Sequence, residues 1–151
     1  IYVQDLLDEW LGEAAARVIL PITDPYVVHH GALGGFATAY LPEGTDGGDI
    51  IARLAAREEL LEVVTKEEAV ERFELPADRI GDIVMISKEN MTIGTSESRH
   101  DLAALNEPLR SHGGLTEQVV PFIVNRVIDL PSKPVLRNFD ALFYAITAAA
   151  L

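Results

Sequence analysis

Histidine side chains are the strongest candidates for chemistry in this sequence, because imidazole binds metals and exchanges protons near neutral pH. The chain contains His29, His30, His100 and His112 and has no cysteine. Without thiolates, any metal site must use imidazole and carboxylate ligands. His112 lies in the segment 111–114, Ser-His-Gly-Gly, whose glycines let the backbone approach a ligand closely. We favour a metal ligand at His112, although spacing alone supports an exposed turn histidine about equally.

The other three histidines have structural interpretations. His29 and His30 are adjacent on a predicted strand, where successive side chains point to opposite faces, so the pair cannot bind one ion in regular geometry. We expect at least one of them to be structural. His100 precedes Asp101, and the leucines that follow suggest that this aspartate caps a helical turn. A helix-capping role is therefore favoured over a catalytic role for the His100-Asp101 pair.

No catalytic or substrate-binding residue can be assigned from the remaining motifs. The glycine-rich run Gly31–Gly35 lacks the spacing of a dinucleotide-binding fingerprint, and no helix is predicted directly after it, so a phosphate-binding loop is not indicated. The sequence also lacks a Ser, His and Asp grouping with nucleophile-elbow spacing.

The acidic composition restricts the partners of the chain. Its 151 residues include 12 Lys+Arg and 24 Asp+Glu, for a formal charge of −12. Because phosphate affinity depends on clustered basic residues, a sequence-independent nucleic-acid binder is excluded. No stretch reaches the about 18 apolar residues that span a bilayer, and Asp5, Asp8 and Glu9 lie where a secretion signal would be basic. We therefore expect a cytoplasmic protein that does not bind membranes.

Length and hydropathy predict one compact unit or a piece of one. The apolar fraction is 48% and the mean hydropathy is +0.16, which is too apolar for a disordered chain, and about 150 residues suffice for one buried core. The chain begins at Ile1, without a Met and inside a helical pattern. A complete domain and a fragment of a longer protein both stay open at this point.

Apolar periodicity predicts the elements that position these side chains. The first half contains a helix from Val3 to Leu11 ended by Gly12, a strand at Val18–Leu20, a hairpin of Tyr26–His30 with Phe36–Leu41, and a helix capped by Asp49. The middle of the chain contains a strand at Glu62–Val64, a helix that starts with a Thr65–Glu68 capping box and runs to Phe73, and a hairpin of Ile83–Ile86 with Met91–Ile93. A loop from Thr95 to Gln118 follows. The chain then has a buried strand at Val119–Val124 and a helix over Phe139–Ile146 that Asn138 can cap.

Three segments of the chain resemble the phosphonoacetate hydrolases, members of the alkaline phosphatase superfamily. They are Leu20–Gly34, Gly94–Leu102 and Leu109–Gln118. The Ser-His-Gly-Gly motif with the following Glu117-Gln118 is fairly specific to these hydrolases and the related nucleotide pyrophosphatase/phosphodiesterases, and the segment 22–27 narrows the resemblance further. The resemblance extends over nearly the whole chain and corresponds to the C-terminal third of such an enzyme.

This resemblance implies a two-zinc hydrolase that cleaves the carbon–phosphorus bond of phosphonoacetate to acetate and phosphate. Its zinc ligands are Asp and His residues, and its nucleophile is a threonine. His112 matches the last histidine ligand. The other ligands and the nucleophile would lie upstream of Ile1, so the segment alone is expected to be inactive and to need the remainder of the enzyme as its partner.

The resemblance also implies an α/β fold with two parts. Residues 1–20 and 96–151 would form the C-terminal part of the metal-binding, alkaline-phosphatase-like core, and residues 21–95 would form a small α/β cap subdomain. Cut from such a core, the first and last helices and Val119–Val124 are expected to present apolar surface without a partner. A homo-oligomeric state stays open.

Two alternatives also stay open. One is a phosphodiesterase or nucleotide pyrophosphatase of the same superfamily, which would share the zinc site and differ in substrate. The other is a non-catalytic acidic binding module, in which His112 has no metal to bind.

Overall fold

The structure, a computed structural model, describes residues 1–21, 33–100, 102–104, 113–125, 127–128 and 136–149. Contacts divide the chain into two units, Ile1–Gln118 and Val119–Leu151. The first unit contains a four-stranded antiparallel sheet with helices, and the described residues of the second contain one helix. The expected mixed α/β fold is thus confirmed. The subdomain boundaries given by the resemblance stay a prediction.

The sheet has the strand order β1-β2-β4-β3, in which every neighbouring pair is antiparallel. The elements in chain order are α1 (Val3–Leu11), β1 (Arg17–Ile19), β2 (Phe36–Tyr40), α2 (Gly47–Ala55), β3 (Leu60–Thr65), α3 (Lys66–Phe73), β4 (Ile83–Ser87) and α4 (Asp140–Ala149), with 3₁₀ turns at Glu97–Arg99, Leu102–Ala104 and Leu115–Glu117. None of the helices in the described ranges is long and apolar enough to cross a membrane.

Helix α1 packs its apolar stripe against the sheet. Val3 and Leu7 are fully buried, and the helix ends at Gly12, whose φ of 101° favours glycine. The Gln4 side chain accepts a hydrogen bond from Val18 N at 2.9 Å, which ties the helix to β1. The expectation that the first helix lacks a partner is therefore wrong, because its own sheet covers the stripe.

The sheet separates two apolar clusters. Buried residues of α1 and α2 share one cluster with Ala37, Ala39, Ile83 and Met85, while α3 shares the other with Val64 and Val84. Alternation of side chains along β2 and β4 explains the division, since neighbouring residues of a strand face opposite sides. Strand β4 is consequently buried along its whole length.

Side-chain caps start both helices that follow the second and third strands. Thr65 accepts a hydrogen bond from Glu68 N at 3.2 Å, as the capping box predicts for α3. For α2 the predicted cap, Asp49, is wrong. Asp46 caps the helix and accepts hydrogen bonds from Gly48 N and Asp49 N, because the two glycines after it extend the helix by one turn beyond the apolar pattern.

Of the two predicted hairpins, one lies partly outside the described residues and the other is not formed. Residues 26–30 lie outside the described residues, and β2 pairs with β1 and β4. The hairpin of Ile83–Ile86 with Met91–Ile93 is wrong. Ile93 instead exchanges hydrogen bonds with Gly34, at 2.7 and 3.2 Å, because both edges of β4 are already occupied by β2 and β3.

The predicted buried strand at Val119–Val124 is wrong as well. This segment has no strand pairing within the described ranges, and Val119 and Ile123 are 97% and 88% exposed. A strand needs backbone hydrogen-bond partners in a neighbouring strand, so apolar composition alone cannot make this segment one.

Helix α4 begins at Asp140, two residues after the predicted cap Asn138, and Asp140 accepts a hydrogen bond from Arg137 N at 2.8 Å. Phe139, which precedes the helix, and Leu142, Phe143 and Ile146 within it are exposed in this structure, in agreement with the expectation for the last helix.

These exposed side chains predict a solution property of the 151-residue chain. Contiguous exposed apolar surface binds environment-sensitive dyes such as anilinonaphthalene sulfonate. Expressed alone, the chain should bind this dye well above the level of the full-length protein, measured at equal concentrations. A chain that is monomeric, melts cooperatively and does not bind dye would contradict this expectation.

Candidate functional site

The favoured metal ligand, His112, lies outside the described residues, as do His29 and His30. The assignment of His112 therefore stays a prediction. The residues that follow it, Gly113 and Gly114, are described, and they lie in the same unit as the sheet. They show how the backbone is held directly after the candidate ligand.

Gly113 and Gly114 pass over the start of β2 with their backbones in contact with Gly35. A methyl group added to Gly35 would lie 2.6 Å from Gly114 N and 2.8 Å from Gly114 Cα, and one added to Gly113 would lie 3.7 Å from Phe36 Cβ. Gly113 has a φ of 96°, a left-handed value that other residues rarely adopt. Glycine is therefore required at position 113 by its positive φ and at position 35 by the close approach of the Gly114 backbone.

A hydrogen bond links the Glu117 side chain to the segment 113–114. Gly114 N donates a hydrogen bond to Glu117 Oε2 at 3.4 Å, and the turn Leu115–Glu117 follows directly. Glu117 is exposed. The glutamate that follows Ser-His-Gly-Gly thus has a local structural contact.

His100 is a buried histidine with hydrogen-bond partners. Its side chain accepts a hydrogen bond at Nε2 from Thr95 N at 3.0 Å, and Thr95 Oγ1 lies 3.2 Å from the same nitrogen. Because a backbone N–H can only donate, Nε2 must carry the lone pair, which places the ring proton on Nδ1. The ring also stacks on Tyr2, with centroids 6.0 Å apart.

The Nε2 lone pair of His100 is therefore occupied by the Thr95 N–H. This geometry supports a structural role over a catalytic one. The proposed cap residue beside it, Asp101, lies outside the described residues, so its capping role stays a prediction.

A cleft of about 380 Å³ lies beside His100. Its lining includes Glu97 and Tyr2. Over the described ranges, this cleft included, no group of three or more His, Asp or Glu side chains is placed to hold a metal ion. A catalytic zinc takes three protein ligands, so the described residues do not form a complete zinc site.

Gly35 is the residue that sequence reasoning missed. We considered it only as part of a glycine-rich turn, whereas the structure places it under the backbone that follows His112. The glycine at position 35 can be recognised in the sequence as a residue that allows close backbone contact. The partner of this contact, Gly114, cannot be recognised in the same way, because the two residues are far apart in the chain.

Comparison with known proteins finds no matching family model. Two solved structures match the chain with 75% sequence identity over 99% of its length and a TM-score of 0.87. Both are phosphonoacetate hydrolase from Sinorhizobium meliloti 1021, one in complex with phosphonoformate and the other with phosphonoacetate. The chain spans 36% of the length of that protein. In sequence and fold, this chain is similar over nearly its whole length to about a third of a phosphonoacetate hydrolase, which confirms the resemblance indicated by its Ser-His-Gly-Gly and neighbouring segments.

Proposed function

We propose that this chain is the C-terminal part of a zinc-dependent phosphonoacetate hydrolase. The observation that carries the proposal is the 75% identity to the Sinorhizobium meliloti enzyme over 99% of the chain. At this identity the side chains around a site are mostly unchanged, so the substrate is expected to be shared. The substrate is a small phosphonate, the products are acetate and phosphate, and the enzyme acts in the cytoplasm.

His112 is the residue through which this chain would bind zinc. The fit rests on the donor chemistry and on the backbone beside it. Imidazole is a common zinc ligand, the chain has no thiolate to compete, and the Gly113–Gly114 backbone is seated against Gly35. The described residues do not supply three donors, so the remaining ligands would come from the rest of the enzyme.

The contribution of this chain to the reaction is positional. When bound, two zinc ions would neutralise the phosphonate oxygens and stabilise charge on the leaving carbon. The chain would hold one imidazole where an ion can use it, and the sheet would keep the backbone next to that imidazole fixed. The nucleophile and the other ligands are proposed to belong to the upstream part.

The test uses the full-length protein that contains this chain. We expect it to bind two zinc ions per polypeptide and to release phosphate from phosphonoacetate faster than it hydrolyses a nucleotide ester. Preference for the nucleotide ester would favour the phosphodiesterase alternative. A full-length protein without bound zinc and without either activity would support the acidic binding module.

A further inference from the structure

We propose that Gly35 is a positioning residue for the zinc ligand His112, because its missing side chain leaves room for the backbone that follows that ligand. The inference rests on the proposed function. Gly35 would not touch zinc or substrate itself. It would act through Gly113 and Gly114, which are joined to His112 by the chain.

The first step of the argument is steric. A methyl group on Gly35 would lie 2.6 Å from Gly114 N, 2.8 Å from Gly114 Cα and 3.2 Å from the Gly113 carbonyl carbon. All three atoms are backbone atoms, which cannot rotate away as the end of a flexible side chain can. Any residue other than glycine at position 35 must therefore displace one of the two backbones.

The second step identifies which backbone would move. The Gly35 carbonyl accepts a hydrogen bond from Ser87 N at 2.9 Å, and Gly34 exchanges two hydrogen bonds with Ile93. These bonds anchor the start of β2 to the sheet. The two hydrogen bonds seen at Gly114, by contrast, both join it to Glu117, three residues further along its own exposed turn: Gly114 N donates to Glu117 Oε2 at 3.4 Å, and the Gly114 carbonyl accepts from Glu117 N at 3.1 Å. Neither of these bonds ties the segment to the sheet. The added methyl group should therefore displace Gly113 and Gly114, and with them the attachment point of His112.

A matched control lies near the other end of β2. A methyl group on Gly81 would lie 2.5 Å from the Ala39 carbonyl oxygen and 2.5 Å from Thr38 Oγ1, so it meets crowding as severe as that at Gly35. Gly81 has no neighbour in the segment 113–114 within that contact set. The two glycines therefore separate damage to the sheet from displacement of the His112 segment.

The experiment compares Gly35→Ala, Gly81→Ala and His112→Ala in the full-length enzyme. Zinc content, zinc affinity and melting temperature are measured, together with the d–d spectrum of the Co²⁺-substituted enzyme. We expect Gly35→Ala to weaken one zinc site by about 10- to 100-fold, the range found for residues that support metal ligands, and to alter the Co²⁺ spectrum. Excess zinc should restore its activity. Gly81→Ala should lower the melting temperature while keeping wild-type zinc affinity.

Glu117→Ala keeps the test decisive if Gly35→Ala does not fold. It removes the carboxylate that accepts the Gly114 N–H, and the Glu117 side chain is exposed, so folding should persist. We expect a smaller weakening of the same zinc site. Wild-type zinc affinity in a folded Gly35→Ala variant would overturn the inference by itself. If Gly35→Ala does not fold, wild-type zinc affinity in Glu117→Ala would overturn it.

The outcome for His112→Ala separates this inference from the proposed function. If that variant keeps both zinc ions, the proposed function and the role of Gly35 both fail. If it loses zinc while Gly35→Ala and Glu117→Ala keep wild-type affinity, only the role of Gly35 fails.

Discussion

Under the proposed function, replacement of His112 by Ala in the full-length protein is expected to empty one of two zinc positions and to abolish most of the hydrolytic activity. The substitution would remove one of the three protein donors that the proposal gives to that ion, and outer groups cannot replace a missing metal–ligand bond. The loss of affinity should exceed the about 10- to 100-fold typical of residues that only support a ligand. Zinc content per polypeptide and phosphate release from phosphonoacetate measure the two effects, and excess zinc should partly restore the rate.

His100→Ala is the control for this prediction. It removes the acceptor of the Thr95 N–H, which should cost about 1–3 kcal/mol of stability, and it should leave both zinc ions in place with at most a modest loss of activity. The assignment would be overturned if the His112 variant kept its zinc and its activity while the His100 variant lost them.

The second large effect concerns the 151-residue chain by itself, which we expect to have no hydrolytic activity. A catalytic zinc takes three protein ligands, and no cluster of that size is found among the residues that the structure describes. The measurement is phosphate release from phosphonoacetate with zinc added, beside the full-length enzyme at the same molar concentration. Zinc-dependent turnover by the short chain would show that it contains a complete site and would refute the division of ligands proposed above.

Local features of the fold could be predicted from the sequence because their causes are local. The stripe of α1 and its end at Gly12 follow from residues within one helix, and the hydrogen bond from Glu68 N to Thr65 follows from a spacing of three. The pairing of Ile93 with Gly34 could not be predicted in this way. It depends on which strand edges the rest of the sheet leaves free, and no short window of sequence contains that information.

The same distinction applies to the exposed segment and to the site. An apolar run such as Val119–Val124 indicates that burial is favourable, but a strand also needs hydrogen-bond partners outside itself. His112 attracted attention through its own neighbours, the glycines. Gly35 did not, because what makes it necessary is the backbone of Gly114, which only the folded chain brings to it.

The buried hydroxyl of Thr38 has a consequence for how β2 and β4 align. All four residues Ile83–Ile86 are apolar and buried. If β4 slipped by one residue against β2, one apolar side chain would replace another on each face of the sheet. The slip would therefore expose no apolar side chain and bury no polar one from this strand, and the free-energy penalty that usually prevents misalignment would be small. Thr38 Oγ1 donates to the Ile83 carbonyl at 3.1 Å and accepts from Gly81 N at 2.8 Å. A slipped strand would leave these buried groups unpaired, at about 1–3 kcal/mol for each. The Thr38 hydroxyl thereby selects one alignment of β2 against β4, whereas burial of apolar side chains does not distinguish this alignment from the slipped one.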